Sequence, residues 1–103
     1  MLAKANFKIN LINSAKYFVE LYDVDVIKDD LLQTKIVQES GVIEFIFESF
    51  ESGEMRPELE IRIFDANREE IYRSKINNTL DGDTIEDETG LYKTTIDFGE
   101  ITI

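Results

Sequence analysis

Leu59-Glu60-Ile61-Arg62-Ile63-Phe64 alternates apolar and charged residues without a break. A period of two is what a β-strand shows when one face is buried and the other is wet. Leu59, Ile61 and Ile63 are expected to point inward, with Glu60 and Arg62 outward. The same alternation recurs on both sides of this hexapeptide. Upstream it marks residues 7–11 and 42–48, where Ile43, Phe45 and Phe47 share one side against Glu44 and Glu48, while 17–22, rich in aromatic and branched residues, and 31–38 are expected as strands between them. Downstream it marks residues 70–76, 91–98 and 101–103. Gly99 interrupts the last two, as a glycine does at a bulge or bend. Asp65-Ala66-Asn67-Arg68-Glu69 reads as a hairpin turn, with Asn67 the residue most tolerant of left-handed geometry. No window keeps helical spacing between capping residues, and Asp23-Val24-Asp25-Val26-Ile27 is poor helix material.

Short strands separated by turn residues imply an all-β chain, an antiparallel β-sandwich of about seven or eight strands. A length of 103 residues is that of one domain, covering 1–103, with enough buried surface to fold without staples. Phe7, Phe18, Phe45, Phe47, Phe64 and Phe98 are expected to fill the core and sheet faces.

The chain has neither cysteine nor histidine. That removes thiolate chemistry, disulfides and the commonest general base and zinc ligand. Serines 40, 49, 52 and 74 have no imidazole to activate them, and no glycine-rich phosphate loop is present, so the expectation is a protein that is not an enzyme. A formal net charge of −11 repels nucleic-acid phosphate and anionic lipid, so no nucleic acid is expected as partner. No stretch is apolar enough for a transmembrane segment and none reads as a secretory signal. A cytoplasmic location, or export by a route the chain does not encode, is the corresponding expectation.

The acid is concentrated where strand 17–22 ends. Tyr22-Asp23-Val24-Asp25-Val26-Ile27-Lys28-Asp29-Asp30-Leu31-Leu32 places four carboxylates, Asp23, Asp25, Asp29 and Asp30, in one short turn. At ~4 Å and an effective dielectric near 20, each close pair repels by about 4 kcal/mol before screening. The loop therefore either fans these groups into water or gathers a cation among them. Calcium suits such a set, because it takes six to eight oxygens and needs no histidine or cysteine. A second acidic run, Asp81-Gly82-Asp83-Thr84-Ile85-Glu86-Asp87-Glu88, fails the EF-hand pattern at Ile85 and reads as a polar loop.

This D-x-D-x-x-x-D-D segment, closed by Leu31-Leu32, resembles the acidic loop of calcium-binding C2 domains. The order of motifs, with Gly41-Val42-Ile43 and then Pro57-Glu58-Leu59 after the acidic loop, resembles the transthyretin-like family more closely. The C2 resemblance implies that Asp23, Asp25 and Asp30 chelate calcium with Asp29 nearby, and that an acidic domain meets phospholipid only through that ion. Gln33 stands where the C2 motif usually ends in glycine, and Arg56-Pro57 where Asp-Pro is common. The transthyretin-like resemblance implies a binding or structural module with a protein partner. Two functions follow as expectations: a weak calcium-binding interaction module, or a metal-independent one such as an assembly subunit or an acidic inhibitor of a basic partner.

Overall fold

The computed structural model describes residues 2–24, 27–48, 58–76 and 92–103. They form strands β1 (Leu2–Asn10), β2 (Tyr17–Asp23), β3 (Asp30–Val37), β4 (Gly41–Glu48), β5 (Leu59–Phe64), β6 (Glu70–Arg73) and β7 (Tyr92–Thr102). These make two sheets, one of three strands in the order β4-β1-β7 and one of four in the order β3-β2-β5-β6. The architecture is the β-sandwich expected from the alternation. Every pairing among the described residues is antiparallel except β1 with β7, which run parallel.

Alternation decides which side of each strand is buried. Ala5, Phe7 and Ile9 of β1, Phe45 and Phe47 of β4, and Ile96 and Ile101 of β7 meet Tyr17, Val19 and Leu21 of β2 and Leu59, Ile61 and Ile63 of β5 in one apolar cluster. Chains of this pattern gain by removing one face of each sheet from water, and the two apolar faces cover each other. The clearest strand in the sequence, β5, lies inside its sheet between β2 and β6, which is why its inward residues are fully buried.

The differences from the sequence reading are local. β1 begins near Leu2 instead of Phe7, because small Ala3 and Ala5 disguise an alternation that starts earlier. β6 ends at Arg73, short of Ile76. The two final segments are one strand, bulged where Gly99 takes φ +77° and its amide is held by Asp97 Oδ1 at 2.8 Å. In the β5–β6 turn the left-handed residue is Arg68, φ +67°, and not Asn67. Asp65 sets this. Its carboxylate accepts the amides of Asn67 at 2.8 Å and Glu69 at 3.0 Å, which fixes Asn67 and passes the positive φ one residue on.

Candidate functional site

β2 and β5 are neighbours, and their outward residues fall in register: Phe18 with Phe64, Glu20 with Arg62, Tyr22 with Glu60. Among the described residues no second layer covers this face, yet Glu20 and Glu60 are only 8% and 6% exposed. Their cover is made of other polar side chains. Arg62 lies over the Tyr22 ring, its guanidinium carbon 4.0 Å from the ring centre. Its Nε donates to Glu60, and its Nη2 donates to Asp29 Oδ2 at 2.6 Å. The Tyr22 hydroxyl donates to Glu20 Oε1 at 2.6 Å. From β6, Arg73 stands 3.7 Å from Glu60 and donates to Glu70 at 2.6 Å. Arg62 and Arg73 are direct cross-strand partners, and the shared Glu60 offsets their repulsion.

The electrostatics follow from these contacts. Burial works against the Arg62 charge, but the hydrogen bonds to Asp29 and Glu60 outweigh it and hold its pKa above the ordinary arginine value. Burial, then the bond to Glu20, raises the Tyr22 phenol. The bond to Glu70 raises Arg73. At the opposite end of the same face, Phe18 is covered by Lys16 at 5.1 Å and by Arg68 at 3.8 Å from the ring centre.

The four carboxylates singled out in the sequence are placed unequally. Asp23 and Asp30 are opposed partners at the end of the β2–β3 pairing. Asp29 is turned away to Arg62. Asp25 lies outside the described residues, as does the second acidic run, 81–88. Among the described residues no three acidic side chains are gathered closely enough to hold a metal ion. The donor set visible for calcium is therefore Asp23 and Asp30, with Asp29 already engaged by a guanidinium. That set alone does not meet the oxygen count the ion requires.

Arg62, Glu60, Glu20 and Tyr22 carry the site, and alternation identifies them only as outward or strand residues. The available signal is the spacing Glu60-x-Arg62 beside Glu20-x-Tyr22, two charged or polar pairs at matching intervals on central strands. Gln33, the departure from the C2 pattern, also serves the fold. Its Oε1 accepts the Ile46 amide of β4 at 3.2 Å, closing the gap between two edge strands.

The outer face of the three-stranded sheet differs. It holds an open depression of about 380 Å³ lined by Asn6, Phe7, Lys8, Val42, Asp97, Gly99 and Glu100. Among the described residues no helix is long and apolar enough to cross a membrane.

No protein-family model and no curated protein matches the chain. Among solved structures it is similar to a 9R-lipoxygenase from Cyanothece PCC8801, with a TM-score of 0.51 and 23% sequence identity. The match covers 99% of this chain and 16% of the lipoxygenase, so the chain spans about one sixth of that protein's length. At that identity the likeness shows the fold alone, a β-sandwich of two sheets.

Proposed function

We propose that the chain is a non-catalytic interaction module that binds a protein partner, without metal, along the side of the sandwich where β3 and β4 adjoin. The observation that carries this reading is the set of exposed aliphatic side chains on these two edge strands: Ile36 of β3 beside Phe18 on the outer face of the four-stranded sheet, Val42 and Ile46 of β4 beside Lys8 and Lys4 on the outer face of the three-stranded sheet, and Leu31 and Leu32 at the start of β3. The two strands are edges of different sheets, joined through Gln33. Apolar side chains exposed on both edge strands of an otherwise acidic surface mark a contact region that would wrap around this side of the sandwich. The absence of histidine and cysteine from the sequence, and the internal pairing of the outer-face charges, support a role without catalysis.

A second reading, weak calcium binding by Asp23, Asp25 and Asp30, is favoured by the opposed positions of Asp23 and Asp30 and by the resemblance to C2 domains. Phospholipid contact belongs to this reading only.

Affinity capture from the native cell, in chelator and in calcium, separates the two. The wild-type chain should retain its partner in chelator, and the double variant Ile36→Lys/Val42→Lys should lose it while keeping the β-sheet circular dichroism. Equal capture by that variant would rule out the β3–β4 surface. Capture that requires calcium and disappears in Asp23→Ala would establish the second reading.

A further inference from the structure

Arg62 and Arg68 each place a guanidinium over an aromatic ring of β2 on the outer face of the four-stranded sheet. Arg62 lies 4.0 Å from the centre of the Tyr22 ring, and Arg68 lies 3.8 Å from that of Phe18. A guanidinium that meets a ring through its planar face keeps its N–H donors at the edge, directed away from the ring. For Arg62 that edge is matched from within the chain by the carboxylates of Glu60 and Asp29. For Arg68 it is not. Among the described residues its side chain has no acceptor, and neither has Lys16, whose ammonium lies 5.1 Å from the centre of the same Phe18 ring.

The acids closest in sequence to Arg68 do not supply one. Asp65 accepts the amides of Asn67 and Glu69, Glu70 pairs with Arg73, and Glu69 forms no ion pair with Arg68. In a chain with 22 acidic residues and 11 basic ones, two cations thus converge on one ring without a carboxylate. An anion between them offsets their mutual repulsion. The turn also fixes the start of the Arg68 side chain, at φ +67° with the amide donating to the Asp65 carbonyl at 3.0 Å. A donor fork held in this way has less freedom to lose on binding. The acidic turn stands too far off to repel such a ligand strongly. Phe18 and Asp23 are separated along β2 by about 17 Å, roughly twice the screening length at physiological salt.

We propose that Lys16 and Arg68 form a carboxylate-binding site over Phe18, where the partner protein places an acidic side chain or chain terminus next to an apolar residue that packs on Ile36. Ile36 is the β3 neighbour of Phe18 in register and is 59% exposed. The ligand class follows from Arg62, which takes carboxylates when placed over Tyr22 in the same way. The identity of the occupant as a protein rests on the β3–β4 contact reading, whereas carboxylate binding needs no partner, so the two can fail separately.

Nuclear magnetic resonance titration of the full chain with N-acetyl-leucine, a carboxylate beside an aliphatic side chain, tests this. The Arg68 Nε–H and the Phe18 ring protons should shift saturably, with a dissociation constant on the order of 1–10 mM for so small a ligand. The Arg62 Nε–H, already bonded to Glu60, should stay in place. N-acetyl-leucinamide, the neutral analogue, should produce no saturable shift. Arg68→Gln should abolish binding at the Phe18 ring, and Lys16→Gln should weaken it roughly two- to fivefold, as for one exposed charge pair. Both positions are exposed, so neither change threatens the fold. Equal binding of the amide, or undiminished binding in Arg68→Gln, would overturn the proposal. So would the lack of any saturable shift at tens of millimolar, which would leave the two cations as cover for the ring. Binding of inorganic phosphate but not of N-acetyl-leucine would overturn the assignment to a carboxylate.

Discussion

Tyr22 combines three roles in one side chain: donor to Glu20, platform for Arg62, and outward member of a central strand. Its phenol is raised above 10.0, first by burial and then by the Glu20 bond, which favours the protonated form. The sign of the pH effect follows. Below the unfolded value of 10.0 both states hold the proton and the contribution is complete; above it the unfolded state releases its proton first, so stability falls as pH rises through the folded value. Denaturation at graded alkaline pH should show that decline. Tyr22→Phe should remove this contribution to it, at a cost of about 1 kcal/mol near neutrality from the bond lost to a buried carboxylate. An alkaline decline identical in the variant would show that other groups cause it. At this scale the sequence is least legible. Nothing in Asn67-Arg68 reveals that an Asp65 carboxylate will fix Asn67 and leave arginine left-handed. Nor does local sequence show that Asp29, one of four adjacent acids, will find its counter-charge 33 residues away.

Strands are more legible than residues because alternation is a local signal. β2, β3, β4 and β5 lie within a residue or so of where the pattern placed them, and the Gly99 bulge lies where a glycine interrupts it. Alternation misleads on one point. It equates outward with wet, whereas Glu20 and Glu60 are outward and buried beneath their neighbours' long side chains. Pairing is also beyond it, since the parallel contact of β1 with β7 joins the two ends of the described chain. The edge strands give a test at this level. Gln33→Ala leaves the Ile46 amide of β4 without its side-chain acceptor. Because that amide can turn to water, urea unfolding should show a loss of about 0.5–1 kcal/mol. Faster exchange of the Ile46 amide should accompany it. Unaltered exchange there would mean that Gln33 does not guard this edge.

For the molecule as a whole, stability resides in one cluster shared by both sheets, and its inward residues were the most legible feature of all. Phe45 is fully buried from the three-stranded side and Ile61 from the four-stranded side. Phe45→Ala should cost about 3–5 kcal/mol and Ile61→Ala about 2–5 kcal/mol, each as transfer free energy plus a cavity. For a fold of this size either is a large share of the total, and equilibrium denaturation should register it. A loss below about 1 kcal/mol at both positions would mean that the sheets do not rely on this shared interior.

The parallel β1–β7 pair has a geometric result for anything attached to the protein. Leu2 lies beside Tyr92, and Asn10 beside Thr102, so residue 2 and residue 103 stand at opposite poles. Nine residues of strand at ~3.3 Å each separate them by close to 30 Å. Copies joined head to tail would thus extend as a rod instead of folding back on themselves. A tag at one extremity would report on the acidic pole, and a tag at the other on the Lys16–Arg68 pole.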